Sequence, residues 1–529
     1  PSSIIDFDFD ENKFDYLTYS YGNDDRILNN VLIDSFTVYQ SSILSQPDIP
    51  ALPAAVELTL PDTLCSSSYS GEADIYSSQI QVRSSIGNYQ FSLINSYRTY
   101  ENYYYDTGSP NWIPVDLSEG IDLTKLAIEQ SDLPDSGDYY WRVRYRDNQL
   151  KWSDWSEEAL FHVNDHMLTE NIPNQSLYFN GIDDYVEITD SVDSAVLPDN
   201  VMTVEFWINC EKLTSSGYSN IIGCFQDNGG EEKGWYAGME SNVLKFKISL
   251  SSMDDGDGVF TDIKSNSIRA GMWVHGAVVY DGQSLIMYMN GKEIRRVDGI
   301  SGSIVYHPES FFSIGTYHDF NEQTYFNGYI DEIRLWESAL DSNTIQKWMH
   351  RKIDSTHSHF QNLISYWQMQ DDIQYNTLFD KQNNNNGFLM KMNRLNLRSQ
   401  AAGLGDYGTT VTTQEKSAVG VSGRELEFAI QSAPDQYHYA GLYIIEPDSL
   451  YFKDISDIPE ISTKVLNYYW GIFEYGKDIR VGEKIVADLE FHYKNLIGNH
   501  NADSILLLKR AMNDDNWEDV TSLFVHDKE

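Results

Sequence analysis

Two neighbouring carboxylates, Asp331 and Glu332, sit in the strand-like run Tyr329-Ile-Asp-Glu-Ile-Arg-Leu-Trp336. Carboxylate pairs carry out glycoside hydrolysis, and the retaining form needs its two carboxyl groups about 5–5.5 Å apart. Adjacent residues of a strand point to opposite faces of a sheet, so this pair is not expected to share a glycosidic bond. The chain has no G-x-S-x-G, no H-E-x-x-H and no glycine-rich phosphate loop, and no catalysis is expected within it. His350, His357 and His359 follow a short helical stretch and read as a solvated connector rather than a metal site. Asp6-Phe-Asp-Phe-Asp-Glu-Asn12 has the D-x-D-x-D look of a calcium loop, but it lacks the turn-forming glycine, and Phe7 and Phe9 suit a strand equally well. Cys210 and Cys224 flank what reads as a hairpin, which leaves open either a disulfide or two buried thiols.

The elements that position these groups are read from composition and period. The chain has 529 residues, with 80 Asp+Glu against 37 Lys+Arg and a net charge of −43. Such a surface repels phosphate backbones and anionic bilayers, so nucleic acid and membrane insertion are not expected, whereas hard cations such as calcium are compatible with it. A 13% aromatic and 41% hydrophobic content excludes a disordered chain. No run approaches the ~20 apolar residues of a membrane span. The opening on Pro1, without a basic or apolar leader, reads as a mature or excised piece.

The hydrophobic period is two nearly throughout, as in Tyr140-Trp-Arg-Val-Arg-Tyr145 and Val204-Glu-Phe-Trp-Ile208. The reading is an all-β chain of tandem sandwiches in four blocks: 1–46, the end of a domain begun upstream; 47–165, opening on a Pro-rich linker; 175–393; and 403–529. The clearest helix runs from Ser342 to Met349 behind an Asp341 N-cap. Lys381-Gln-Asn-Asn-Asn-Asn386 reads as a polar surface loop.

In the second block, Asp138-Tyr-Tyr-Trp-Arg-Val-Arg-Tyr-Arg-Asp147 followed by Trp152-Ser-Asp-Trp-Ser156 and Phe161-His-Val163 resembles the last strands of a fibronectin type III domain. Arg142 and Arg144 share one strand face and are expected to stack between Trp152 and Trp155. The block then serves as a structural spacer, with the insertion from Tyr100 to Trp112 as its one candidate for exposed aromatics.

In the third block, Ser176-Leu-Tyr-Phe-Asn-Gly-Ile-Asp-Asp-Tyr-Val-Glu-Ile188, Met202–Ile208, Trp273–Asp281, Leu285–Lys292, Phe312–Gly315 and Phe326–Trp336 fall in the order of laminin G-like, concanavalin A-type jelly rolls. The resemblance implies a structural calcium ion held by Asn180, Asp183 and Asp331, against the plainer alternative that Asp183 and Asp184 make an Asx turn. It also implies carbohydrate binding. Trp235, Tyr236, Tyr317, His318, Asp319 and Tyr325 lie in turn-rich stretches and are candidates for the flat faces and hydrogen-bonding groups a sugar needs, unless they pack beneath loops.

The last block, with Tyr468-Tyr-Trp-Gly-Ile-Phe-Glu-Tyr475, Val486–Tyr493 and Ile505–Arg510, is similar to sandwich modules of proteins exported by the type nine secretion system, which implies an extracellular or cell-surface location and contact with secretion machinery. The expected function is a non-catalytic binding or adhesion region whose third block takes glycan or a surface protein. The alternatives are the accessory region of a carbohydrate-active enzyme or peptidase, and a structural stalk.

Overall fold

A computed structural model describes residues 45–99, 103–106, 112–115, 122–129, 131–133, 135–147, 151–164, 174–189, 195–213, 218–227, 232–252, 260–308, 310–318, 323–370, 373–398, 402–412, 416–420, 425–433, 439–446, 468–475, 485–492, 506–510 and 517–525. The first block up to Leu44, the Asp6–Asn12 run and Asp319 lie outside the described residues. The chain is all-β and folds as successive sandwiches.

In the second block a five-stranded sheet runs Val56–Leu58, Ala159–Val163, Gly137–Asp147, Ile75–Ser84, Ile94–Thr99, beside the pair Asp62–Cys65 and Lys125–Ile128. Strict alternation along Gly137–Asp147 sends Tyr139, Trp141, Val143 and Tyr145 into the core and turns Arg142 and Arg144 outward. Their guanidinium carbons lie 4.1 Å from the Trp155 ring centre and 4.4 Å from that of Trp152, the stack read from the sequence.

The third block is a jelly roll of two packed sheets. The eight-stranded sheet runs Lys292–Asp298, Ser284–Met289, Trp273–Tyr280, Met202–Cys210, Asn327–Trp336, Ser176–Asn180, Leu397–Arg398, with Leu363–Trp367 also pairing on Asn327–Trp336. The nine-stranded sheet runs Phe260–Ser267, Val243–Ser249, Lys233–Glu240, Tyr218–Gln226, Phe311–Ile314, Tyr185–Thr189, Gly387–Met390, Thr377–Leu378, Ile373–Gln374. One core lies between them, with Phe179, Val186, Phe206, Trp235, Phe246, Phe312, Ile330 and Ile333 fully buried; each Phe or Ile so placed stabilises by roughly 1.5–3 kcal/mol. Cys210 and Cys224 are both free and buried, one on each sheet.

The helix Ser342–Trp348 is capped by Asp341, which accepts from Thr344 N–H at 2.8 Å, and it buries Ile345 and Trp348. The connector after it lies over the outer face of the eight-stranded sheet, against the expectation of a solvated linker. That face carries Trp207, Trp336 and Tyr366, and covering them draws the connector inward: His350 is 0% and His357 3% exposed, the latter stacked on Trp336 at 4.5 Å. The fourth block, with two three-stranded sheets and the pair Leu508–Lys509 and Glu518–Asp519 among its described residues, packs on the same side, with Phe473 5.6 Å from Trp207 and Lys352 N–H bonded to Gly405 O at 2.9 Å.

The second and third blocks also touch. Tyr375 donates its backbone N–H to Asp135 at 2.9 Å and meets the Tyr139 ring edge-on at 5.5 Å. Asn393 donates to Ser131 O at 2.9 Å, and Phe91 stacks on Phe388.

Candidate functional site

The three expected calcium ligands are not brought together. The Asn180 side-chain oxygen accepts from the backbone N–H groups of Ile182, Asp183 and Asp184 at 2.7, 3.1 and 3.3 Å, and its amide donates to Asp183 at 2.9 Å. That closes an Asx turn, made by Asn180 and not by Asp183 and Asp184 as the plainer alternative had it; Asp184 instead accepts from Asn180 N–H at 3.0 Å. Asn327, not Asp331, is the strand partner of Asn180, and Asp331 is four residues farther along, roughly 13 Å at strand rise. Asp331 is 0% exposed and accepts from Ala402 N–H at 3.2 Å beneath the fourth block. These residues therefore do not form one oxygen shell, and no step is assigned to calcium.

Asp331 and Glu332 are not on opposite faces, as simple alternation requires. Glu205 pairs with Arg334 and Trp207 with Asp331, so Glu332 and Ile333 together face Phe206 in a bulge, with Glu332 at φ +53°. The bulge turns both carboxylates to the outer side. There Glu332 accepts from Arg334 at 2.9 Å and Tyr366 Oη at 2.6 Å, under the helix end and the connector, where the Trp348 and Arg351 carbonyls accept from the same Arg334. Glu205 completes the network, accepting from Trp336 Nε1 at 3.0 Å with His275 Nε2 at 3.5 Å. Burial pushes the Glu205 carboxyl upward, but His275 and Arg334 more than offset this and hold it at about 2. This is a sealed clamp between sheet and connector.

The aromatic candidates separate. Trp235 points into the core, 0% exposed, and donates to Tyr306 Oη at 3.0 Å, so it is not a ligand platform; its neighbour Tyr236 must face the other way. Tyr236 and Tyr317 lie on the outer side of the nine-stranded sheet but pack edge-to-face at 5.8 Å, with Phe225, under the hairpin of Thr316–His318 and Gln323–Tyr325, and are 3% and 1% exposed. They support the hairpin.

Tyr325, on that hairpin, stays partly exposed. Its ring is 6.2 Å from Tyr185, which also meets His318 at 6.3 Å; His318 stacks on Phe311 at 4.1 Å and 15°. Tyr185 and Glu187 are the outward residues of Tyr185–Thr189, since Val186 and Ile188 enter the core. Burial, then the Glu187 charge, pushes the Tyr185 phenol up to about 12; burial and Asp183 raise that of Tyr325. Four partly exposed aromatic faces beside Glu187, Asp183 and Gln323 therefore occupy one stretch of the outer face. Of these, Tyr185, Glu187, Phe311 and Gln323 were not read as site residues, although the alternation of Tyr-Val-Glu-Ile188 marks the first two as outward.

Among the described residues one further cluster has metal-ligand composition, Glu427, Glu490 and His492 in the fourth block, with ligand atoms within 4.8 Å of one another. Lys416 ion-pairs with both carboxylates there, so they already hold a cation. No helix among the described residues is long and apolar enough to cross a membrane.

Comparison with known proteins bears on this block. Pappalysin-1 of Mus musculus is 25% identical over 185 residues, 33% of this chain but 11% of that protein, and the human protein gives the same figures. The chain thus spans about a tenth of the curated relatives it matches. Among solved structures, a candidate carbohydrate binding protein from Bacteroides ovatus ATCC 8483 is 15% identical, covering 68% of this chain and 99% of that one with a TM-score of 0.31. The SAP-like pentraxin of Limulus polyphemus is 15% identical, covering 42% and 97% with a TM-score of 0.28. Residues 180–346, which carry the jelly-roll strands and the aromatic face, match the profile of the concanavalin A-like lectin/glucanases superfamily.

Proposed function

We propose that the chain is a non-catalytic binding region of a secreted or cell-surface modular protein, and that its jelly roll takes glycan on the outer face of the nine-stranded sheet. The observation that carries this is the cluster of Tyr185, Tyr325, His318 and Phe311 beside Glu187 and Gln323. Sugars present apolar ring faces and a rim of hydroxyls, and aromatic rings with carboxylate and amide acceptors answer both. The match to a lectin and glucanase superfamily supports the class of ligand. Asp331 and Glu332 lie sealed on the other sheet and take no part in the open face. Calcium is not called upon, because Asn180, Asp183 and Asp331 do not converge.

A second reading, the accessory region of a peptidase, is favoured by the pappalysin-1 similarity alone. Retardation of the chain in gels containing neutral polysaccharides tests the first. Tyr325→Ala is expected to abolish retardation while leaving the unfolding temperature within about 2 °C, because Tyr325 is partly exposed. No retardation by any glycan overturns the glycan reading.

A further inference from the structure

We propose that this face is a two-domain site: the loop 85–91 of the second block forms its end wall, and the ligand is a neutral oligosaccharide that runs across the strands toward that wall. The inference rests on the glycan reading above and adds the class of sugar and the second contributor.

The first ground is position. Glu187 of the aromatic–carboxylate cluster stands directly opposite Phe388 on the next strand, and both face outward, since their neighbours Val186 and Leu389 pair in the core. The Phe91 ring lies flat on Phe388, with centroids 4.2 Å apart and planes 6° from parallel. The second block therefore covers, at the next strand, the same face that carries Tyr185. From the strand of Phe311 through that of Tyr185 to that of Phe388 is two strand spacings, about 10 Å, wider than one sugar ring.

The second ground is that the wall is held. Tyr375 bonds Asp135 and packs on Tyr139, and Asn393 bonds Ser131, so three separate contacts fix the second block where Phe91 can reach Phe388. Within the loop, Asn88 Oδ1 accepts from the N–H groups of Gln90 and Phe91 at 2.9 and 3.2 Å, which sets the turn and leaves the Asn88 and Gln90 side chains exposed. Amides of this kind suit sugar hydroxyls.

The third ground is charge. The ionised groups acting on Tyr185 and Tyr325 are Glu187 and Asp183, and the two arginines at the wall, Arg83 and Arg142 against Tyr89, are held by Glu158 and Gln81. Carboxylates accept from hydroxyl groups but repel uronates and sulfates, so the sugar is neutral.

The test uses the full chain and four neutral polysaccharides, mixed-linkage glucan, mannan, xylan and arabinan, with an alginate and a sulfated galactan as acidic counterparts. Titrations then use disaccharides to hexasaccharides cut from whichever polysaccharide retards the chain. Affinity is expected to rise at least tenfold from disaccharide to hexasaccharide. Phe91→Ala is expected to lose most of that rise while keeping the disaccharide affinity, which a general loss of fold would not spare. The exposed variant Gln90→Ala, which leaves the Asn88 turn in place, is expected to lose at least threefold on the hexasaccharide alone. If Tyr325→Ala abolishes binding but both loop variants keep the full length dependence, the wall is wrong and the glycan reading stands. If only the acidic polymers retard the chain, the neutral ligand is wrong. If none does, the glycan reading falls and the two-domain site falls with it.

Discussion

Arg334 donates to Glu332, two residues back on the same bulged strand, at 2.9 Å, and its other side is 3.6 Å from Glu205. All three are at most 1% exposed. One buried cation thus faces two buried carboxylates, a balance that fails when the cation is removed. Arg334→Met is expected to cost about 3–5 kcal/mol, because two carboxylates stay buried without it. Adding Glu205→Gln and Glu332→Gln is expected to recover more than half. Urea unfolding of the single and triple variants checks this, and a triple variant no more stable than the single one refutes it.

Asp331 accepts from Ala402 N–H under the fourth block, so its carboxylate ties the jelly roll to the segment that leads into that block. Asp331→Ala is expected to lower stability by about 1–3 kcal/mol, the cost of leaving a buried donor unmet. The loss should be equal in millimolar calcium and in chelator. A loss confined to the calcium-containing sample would return Asp331 to the role of an ion ligand.

Much of this was legible in the sequence. The all-β class and the Arg142–Trp155 stack follow from alternation, which is local, and the jelly roll from the resemblance of its segments to laminin G-like domains. The rule even separates Trp235 from Tyr236, since neighbours on a strand without a bulge point to opposite faces. What escaped depends on partners distant in the chain. The bulge at Glu332 exists only against Glu205 and Trp207, and it moved a carboxylate to the face where alternation did not put it. Tyr317 is buried because its own hairpin folds back over Tyr236. Phe91 and Phe388 belong to different blocks, and no pattern in either announces the other.

Acid is expected to weaken the chain through His350 and His357. Burial first, then the charges of His275 and Arg334 for His350 and of Arg334 for His357, holds each down from 6.5 to about 4. The unfolded chain takes up these protons as pH falls through about 6.5, while the folded chain refuses them until about 4, so their contribution is full above 6.5 and is lost across that window. The loss is roughly 1–3 kcal/mol for each. Glu205, held at about 2, keeps its contribution until pH falls below the ordinary carboxylate range, whereas the raised Glu332 works in the opposite sense and offsets part of the loss. His357→Phe, which keeps a ring on Trp336, should flatten the slope of stability between pH 7 and 4.5. An unchanged slope would show that His357 takes up its proton in the folded state.

The three thiols should report the fold. Cys65 is exposed, while Cys210 and Cys224 are buried, and burial raises the Cys210 thiol to about 12 and that of Cys224 further. An aromatic disulfide reagent is expected to label one thiol in the native chain and three in denaturant without reductant. Only one labelled after denaturation would show that Cys210 and Cys224 are joined.

Gly137 stands where the second and third blocks meet, at φ +134°, and a Cβ there would run into the Tyr375 hydroxyl. Glycine is required on two counts, the backbone conformation and the approach of Tyr375, whose own backbone bonds Asp135. Gly137→Ala should therefore push the turn at Tyr375 away and release the stack of Phe91 on Phe388, although neither phenylalanine is altered. Hydrogen exchange at residues 86–91 and 387–390 is expected to quicken at least tenfold, while exchange along Met202–Cys210, in the opposite sheet, stays the same. Faster exchange in all three segments would mean that Gly137 stabilises the fold at large. No change at 86–91 would mean that Phe91 holds the loop without help from Tyr375.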